Sequence, residues 1–316
     1  MSSQATFAFT VVVCTRDRPA ELERCLETLT RLRYPRYEVL VVDNASRDPH
    51  TCNIARRHGA SYLLEPVPGL SRARNSGARA ATADLIAYID DDAVPEPDWL
   101  SALAREFDDP HVMAVTGRAL SLDSAPASKP LATGIGEPDF GSPERLSVDA
   151  KTPYWFEMAN FGGLGVGRNM AFRRQAFEGW PGFDERLGRG ALLEGCEEHK
   201  AFFELMDLGY RVVYTPAAVV RHPPPASFAD LRARQLKSLT ASAGYLMLLL
   251  VEKQRYRNAV LTYLRQALTG TRRSWRPPPS TPRPRIAPWW RVMLASLAGP
   301  VLYARSRLTQ ARPGGT

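Results

Sequence analysis

No aspartate or glutamate follows Glu252, although the 64 residues beyond it hold 13 lysines and arginines. The part before that point carries 28 basic and 33 acidic side chains, so the whole formal charge of +8 originates in the C-terminal segment. A basic tail on an acidic body predicts an anionic surface partner for the tail, membrane or nucleic acid, and leaves the chemistry of the body a separate question. Cysteine is scarce too. Cys14, Cys25, Cys52 and Cys196 are scattered without metal-ligand spacing; Cys14 ends an apolar run and Cys25 lies on an apolar helical stripe. Cys14 and Cys25 are expected to be reduced core residues of a cytosolic protein. The first residues lack a basic region followed by an apolar stretch, so no signal peptide is expected. Near the C-terminus, the apolar stretch 292–303 is only twelve residues long and Gly299-Pro300 interrupts it, which is too short to span a bilayer.

What remains describes a globular chain. A length of 316 residues allows one large or about two ordinary domains, and 44% hydrophobic with 23% charged residues is a composition that supports a packed core. Residues 7–15 (Phe-Ala-Phe-Thr-Val-Val-Val-Cys-Thr) are apolar and β-branched, as in a strand buried on both faces. A helical stripe follows at Leu22, Cys25, Leu26, Leu29 and Leu32, with Pro19 suited to its first turn. Further strands are predicted over 37–42, 61–64, 85–89 and 112–120, and helices over 51–58, 70–83 and from Asp98 through the stripe Trp99, Leu100, Leu103, Phe107. Alternating strands and helices with short links predict a doubly wound α/β architecture, a mostly parallel sheet flanked by helices. Residues 121–160, rich in Pro, Ser, Gly and Asp, read as a long break; a helix over 197–208 and a strand over 209–214 follow it. Pro223-Pro224-Pro225 marks a boundary between a body, residues 1–222, and a helical C-terminal extension, residues 223–316. Within the extension, 228–265 reads as helix, 272–285 as a Pro/Arg linker, and 286–307 as a segment with Trp289, Trp290, an apolar run and flanking arginines. It suits either a helix lying in a membrane interface or one packed on the body.

The chemistry concentrates at Asp90-Asp91-Asp92. Three acids end an apolar strand, where open α/β sheets bind ligands. Adjacent anions repel unless a cation sits between them, and hard divalent cations take carboxylate and phosphate oxygens. A metal–diphosphate site is therefore expected, against the plainer alternative of a solvated acidic turn before a helix. The run Gly162-Gly163-Leu164-Gly165-Val166-Gly167 neither follows the first strand nor opens a helix, so it is not a dinucleotide fingerprint. It reads better as backbone lining an acceptor cleft. Trp155 and Trp180 serve either sugar or lipid stacking or, more simply, core packing.

Read together, Val11-Val12-Val13-Cys14-Thr15, Val41-Val42-Asp43-Asn44-Ala45-Ser46, Gly69-Leu70-Ser71-Arg72-Ala73-Arg74-Asn75-Ser76-Gly77 and the aspartate triplet resemble family 2 glycosyltransferases. The later motifs Gly167-Arg168-Asn169-Met170-Ala171-Phe172, Gly182-Phe183-Asp184-Glu185, Glu197-Glu198, Gly209-Tyr210-Arg211 and His222 follow in that family's order. The resemblance covers residues 7 to about 222. It implies the GT-A fold, a nucleotide-diphosphate sugar donor, inversion at the sugar carbon and a Mg²⁺ or Mn²⁺ cofactor. By the same resemblance Asp43 meets a nucleobase N–H, with Thr15 and Arg16 beside it; alone, Asp43 reads equally as a turn cap. Arg74, or else Arg72, meets base or phosphate. Asp90 and Asp91 address ribose and metal, Asp92 coordinates the metal, and His222 joins it.

Counting back from Gly209, the resemblance puts the general base at Glu198, with Glu197 before it; Glu194 remains a third choice. Lys200 stands where the family often has an acid, and Glu204 where it often has an arginine. Those departures keep open an inactive sugar-nucleotide- or nucleic-acid-binding protein. A sugar-phosphate nucleotidyltransferase is the other alternative, but it calls for a Gly-rich phosphate loop after the first strand, where this chain has Thr15-Arg16-Asp17-Arg18-Pro19. The Gln-x-x-Arg-Trp signature of processive synthases is absent, since Gln254-Arg255-Tyr256-Arg257 runs into Asn258. A single addition to a glycan or lipid-linked acceptor at the cytoplasmic membrane face is expected, with anionic lipid as the partner of 286–307 and nucleic acid disfavoured.

Overall fold

The computed structural model describes residues 7–47, 49–122, 143–269 and 287–310. In chain order the elements are β1 (Phe9–Thr15), α1 (Pro19–Leu29), β2 (Tyr37–Asn44), α2 (His50–Arg57), β3 (Ser61–Glu65), α3 (Leu70–Ala80), β4 (Leu85–Asp90), the two-residue β5 (Val94–Pro95), α4 (Trp99–Glu106) and β6 (Val112–Ser121). Then come β7 (Leu146–Val148), α5 (Trp155–Phe161), β8 (Asn169–Arg173), α6 (Ala176–Gly179), α7 (Glu197–Asp207), β9 (Arg211–His222), α8 (Phe228–Glu252), a 3₁₀ turn at Gln254–Tyr256, α9 (Arg257–Thr269) and α10 (Trp289–Gln310).

The strands form one sheet in the order β3-β2-β1-β4-β8-β6-β9-β5, with β7 pairing β9 from outside this path. Strands β1 to β4 run parallel, as does the β6–β9 pair. β8 lies antiparallel between β4 and β6, and β5 and β7 lie antiparallel on β9, so the sheet is mixed. The period-2 geometry of a strand splits the apolar runs between two layers. Val11, Val13, Val41, Ala87 and Ile89 face α1, α2 and α4, while Val12, Val42, Ile86, Tyr88 and Phe172 face α3, α5, α7 and α8. Unbroken apolar strands are what burial on both faces demands.

Two expectations need correction. Residues 121–160 are not a plain break: β7 and α5 lie within them, because Val148 adds to β9 and Phe156 packs into the aromatic group of Phe203 and Tyr256. Residues 123–142, the rest of that stretch, fall outside the described residues, as do the linker 272–285 and Ile286. The strand expected over 209–214 begins at Arg211 and is only the opening third of β9, which runs on to His222. An amide deep in the core holds that extension. Asn169 donates from Nδ2 to the carbonyls of Ala218 (2.8 Å) and Arg118 (2.9 Å), and its Oδ1 accepts from the Trp99 indole (2.8 Å). Every hydrogen-bonding group of this buried side chain is satisfied, which makes its burial tolerable.

Helix α8 follows the three prolines and returns to the body. Ala241, Tyr245, Leu248 and Leu249 share one apolar cluster with Trp180, Phe202 and Phe203. α10 then packs on α8 at a glycine crossing, where a Cβ on Gly299 would sit 2.5 Å from the Gly244 nitrogen. Among the described residues, no helix is long and apolar enough to cross a membrane.

Candidate active site

The parallel register brings the functional side chains to one edge. Thr15 pairs with Asp43 across β1–β2, and Cys14 with Asp90 across β1–β4, so three strands end together. The β5–β9 pairing of Val94 with Arg221 folds the far end of the sheet back and sets His222 beside Asp92. Single atoms of Asp90, Asp92 and His222 lie within 4.8 Å of one another, a set able to hold a metal ion.

The chemistry of this set can be tested on His222. Its Nδ1 lies 2.8 Å from the Pro223 carbonyl, which only accepts, so Nδ1 carries a hydrogen. Nε2 then faces Asp92 Oδ1 at 2.8 Å, and Oδ1 is buried without a hydrogen-bond partner. A neutral imidazole would put two lone pairs against each other there. A cation bound by both atoms, or a proton on Nε2, removes the conflict. Two cis ligands of Mg²⁺ at about 2.1 Å are about 3 Å apart, close to the observed contact. An N–H directed to a carbonyl is also the usual outer support of a ligating histidine. The residues fit a divalent cation.

The acids differ in environment. Burial pushes the Asp91 carboxyl up to about 7, against the opposing pull of Arg18 and of the Thr15 hydroxyl, which donates to Oδ2 at 2.7 Å. Burial acts the same way on Asp92, but His222 and Arg18 outweigh it and hold this carboxyl well below the usual range. Arg18 forks over both, 2.6 Å from Asp91 Oδ1 and 2.6 Å from Asp92 Oδ2. It was not among the residues expected from sequence. The only signal for it is its place just before Pro19 at the N-terminus of α1, one residue beyond the end of the β1 turn.

Asp43 is buried. Its Oδ1 accepts the Ser46 N–H at 2.9 Å and its Oδ2 the Tyr62 hydroxyl at 3.0 Å, so the turn-capping alternative is realised, with Thr15 one strand away. Arg16 is exposed next to Asp17. Asp17 and Ala45, at the ends of β1 and β2, both have left-handed backbone (φ 55° and 58°), local strain of the kind that clusters at functional sites.

Arg74 lies elsewhere than at an open phosphate contact. Its side chain is buried, with Nη1 2.8 Å from Glu197 Oε1, Nη2 2.9 Å from the Gly167 carbonyl, and Asp90 Oδ1 at 3.9 Å. Arg72, the alternative, is half-exposed and pairs with Glu185 at 2.7 Å. Arg74 thus ties α3 and β4 to the start of α7. Burial, then the neighbouring Glu198 charge, raises the Glu197 carboxyl, while Arg74 opposes both. Glu198 makes no such pair; among the described residues its one ion contact is with His199 Nδ1 at 3.8 Å. Glu194 is taken up in a surface pair with Lys237 (2.7 Å). Cys196, the residue before this acid pair, has φ 66°, a left-handed turn that starts α7 directly at Glu197.

The two departures from the family pattern explain each other. Lys200 Nζ contacts Glu204 Oε1 at 2.7 Å and Asp184 Oδ2 at 3.4 Å, and Glu204 also accepts from the Trp180 indole and from Lys253. Acid and base have exchanged places within one i, i+4 pair that anchors the end of α8. Trp180 is core. Trp155 stacks on Phe203 with the rings 5.9 Å apart. In the glycine run, Gly167 holds its backbone close to Arg74 and Glu198, where a Cβ would stand 3.3 Å from the guanidinium and 3.6 Å from the Glu198 Cβ.

The sequence model of the family described as "Glycosyl transferase family 2" matches residues 10–180. Among curated relatives, the pre-mycofactocin glycosyltransferase of Mycobacterium tuberculosis (strain ATCC 25618 / H37Rv) is 29% identical over 232 residues, covering 72% of this chain and 45% of the relative. The glucosyl-dolichyl phosphate glucuronosyltransferase of Haloferax volcanii is 26% identical over 231 residues, with 67% and 68% covered. The chain spans less than half the length of the first of these relatives. Of solved structures, the mannosyltransferase of Pyrobaculum calidifontis in complex with GDP-Man and Mn²⁺ matches with a TM-score of 0.54 at 20% identity, covering 99% of this chain and 77% of that one. TarS of S. aureus in complex with UDP-GlcNAc matches at 0.56 and 14%, covering 83% and 73%. At such identities the likeness is one of fold, and that fold is GT-A.

Proposed function

From membership of glycosyltransferase family 2, to which this chain belongs, we propose that the protein moves a single sugar, with inversion, from a UDP- or dTDP-sugar to a hydroxyl of a glycan or lipid-linked acceptor. The observation that carries this reading is the convergence of Asp90, Asp92 and His222, joined through Arg74 to the helix that opens with Glu197 and Glu198. Asp90, Asp92 and His222 would hold Mg²⁺ or Mn²⁺, which when bound would supply Lewis-acid stabilisation of a departing nucleoside diphosphate. Asp91 serves the ribose. Asp43 keeps a lone pair on each oxygen for a base N–H, with Thr15 and Arg16 at the neighbouring strand end. Glu198 takes the acceptor proton, because Glu197 is committed to Arg74 and Glu194 to Lys237. A relative solved with GDP-Man and Mn²⁺ and another solved with UDP-GlcNAc support a metal-assisted nucleotide-sugar site of this kind. The inactive-protein reading rested on Lys200 and Glu204, and their mutual pairing gives those residues a structural reason that leaves Glu198 available.

A panel of UDP-, dTDP- and GDP-sugars tests the donor. Thermal unfolding with Mn²⁺ present is expected to rise for one nucleotide class and to fall back when EDTA is added, since a ligand specific to the folded state stabilises it. Slow donor hydrolysis should follow the same selectivity. No shift and no hydrolysis with any donor would defeat the assignment.

We further propose that the enzyme works peripherally at the cytoplasmic membrane face, docked through α10. Trp290, Leu294, Leu297, Val301 and Leu308 recur on its outer side and are exposed, Val301 by 68% and Leu308 by 69%. Arg291, Arg305 and Arg307 flank them, as in interfacial helices, and near-surface basic residues each add about 1 kcal/mol at an anionic bilayer. Removal of everything beyond Pro225 is unsuitable as a test, because α8 belongs to the core. Leu297→Ser with Val301→Ser instead leaves the packed side of α10 untouched. This pair of changes is expected to cut co-sedimentation with phosphatidylglycerol vesicles several-fold, and unchanged binding would remove α10 from the interface.

A further inference from the structure

The fork of Arg18 over Asp91 and Asp92 leads to a consequence for how donor and cation arrive. Asp92 is one of the three candidate metal ligands, and its Oδ2 is held by Arg18 while its Oδ1 faces His222. A divalent cation on this trio therefore shares a carboxylate with a guanidinium, and two positive charges that close oppose each other. The two partners differ in freedom. The Asp91 and Asp92 side chains are 6% and 10% exposed, whereas that of Arg18 is 32% exposed at the mouth of the site. Arg18 is the member that can leave. A guanidinium binds two phosphate oxygens with the same planar geometry it uses for carboxylates.

We propose that Arg18 is a positioning residue that couples the two ligands: it holds Asp91 and Asp92 and weakens cation binding until a nucleoside diphosphate takes its guanidinium. This rests on the metal–diphosphate reading above. By linkage, whatever a diphosphate adds to the cation's affinity, the cation adds to that of the diphosphate. Arg18 thereby keeps the acids from holding a cation that has no donor to act on, and supplies the diphosphate with a second positive partner once it has bound.

The deciding measurement is Mn²⁺ affinity without nucleotide, read from the electron paramagnetic resonance signal of free Mn²⁺. Arg18→Ala is expected to bind Mn²⁺ about tenfold more tightly than the parent, the scale on which a neighbouring unit charge acts. The same change should weaken UDP binding in saturating Mn²⁺. Arg18→Gln, which keeps most of the side-chain volume, should behave alike and guards against a folding defect, checked by circular dichroism. Arg24→Ala removes a charge from the same helix at a side chain 65% exposed, and should leave Mn²⁺ affinity unchanged. The proposal is overturned if both Arg18 variants bind Mn²⁺ no more tightly than the parent, or if Arg24→Ala tightens binding equally. If no variant binds Mn²⁺ even with UDP or GDP present, the metal reading itself fails, and this one with it.

Discussion

Glu198→Gln is expected to lower turnover by about 10²- to 10⁴-fold, the range contributed by a positioned general base, while leaving affinity for UDP and Mn²⁺ unchanged. The reasoning is one of elimination among neighbours. Inverting transfer needs a carboxylate beside the attacking hydroxyl, and three glutamates stand near the start of α7. Glu194 is drawn out to Lys237 on the surface. Glu197 is buried against Arg74, where losing the ion pair would leave a guanidinium without its partner. Glu198 adjoins the Gly167 backbone, and among the described residues its one ion contact is with His199 Nδ1 at 3.8 Å. The variant separates chemistry from binding: kcat falls and the Kd for nucleoside diphosphate, measured by calorimetry, does not. Turnover within about threefold of the parent would move the base elsewhere.

The second large effect concerns stability. Arg74→Leu is expected to destabilise the fold by about 3–5 kcal/mol near neutral pH, because it strands the buried Glu197 carboxylate. The Glu197 pKa is already raised by burial and by Glu198, and loss of Arg74 removes the group that opposes that rise. The folded state then binds a proton more tightly than the unfolded chain does, so stability increases as pH falls. The deficit should therefore be larger at pH 8 than at pH 5, read from the midpoint of urea unfolding at each pH. Replacing both partners, Arg74→Leu with Glu197→Leu, should recover much of the loss, as removal of a whole buried pair commonly does. A deficit below about 1 kcal/mol at pH 8 would show that the pair does not bear on folding.

The position of Arg74 shows where sequence reasoning stops. A glycine, a helix and two arginines after a strand indicate that a cation stands near the site, and Arg74 does lie 3.9 Å from Asp90. Nothing local indicates that its guanidinium is turned inward onto a residue 123 positions later. Lys200 and Glu204 are similar. Taken singly they break a pattern; only the helix brings them together as an exchanged pair that also receives Lys253 from the end of α8.

The positions of β1 to β4 and β6, an α/β sheet flanked by helices and the acid cluster at a strand end were determined by the sequence itself. Each depends on the periodicity of neighbouring residues and on where an apolar run stops. The tertiary structure alone decided that β8 runs antiparallel through the middle of the sheet, that α8 completes the core, and that Arg18 and His222 meet on Asp92. Arg18 and His222 lie 74 and 130 positions from Asp92, and chain entropy is spent on such contacts only when the whole sheet closes. No short window of sequence contains both partners, so no local pattern reports them.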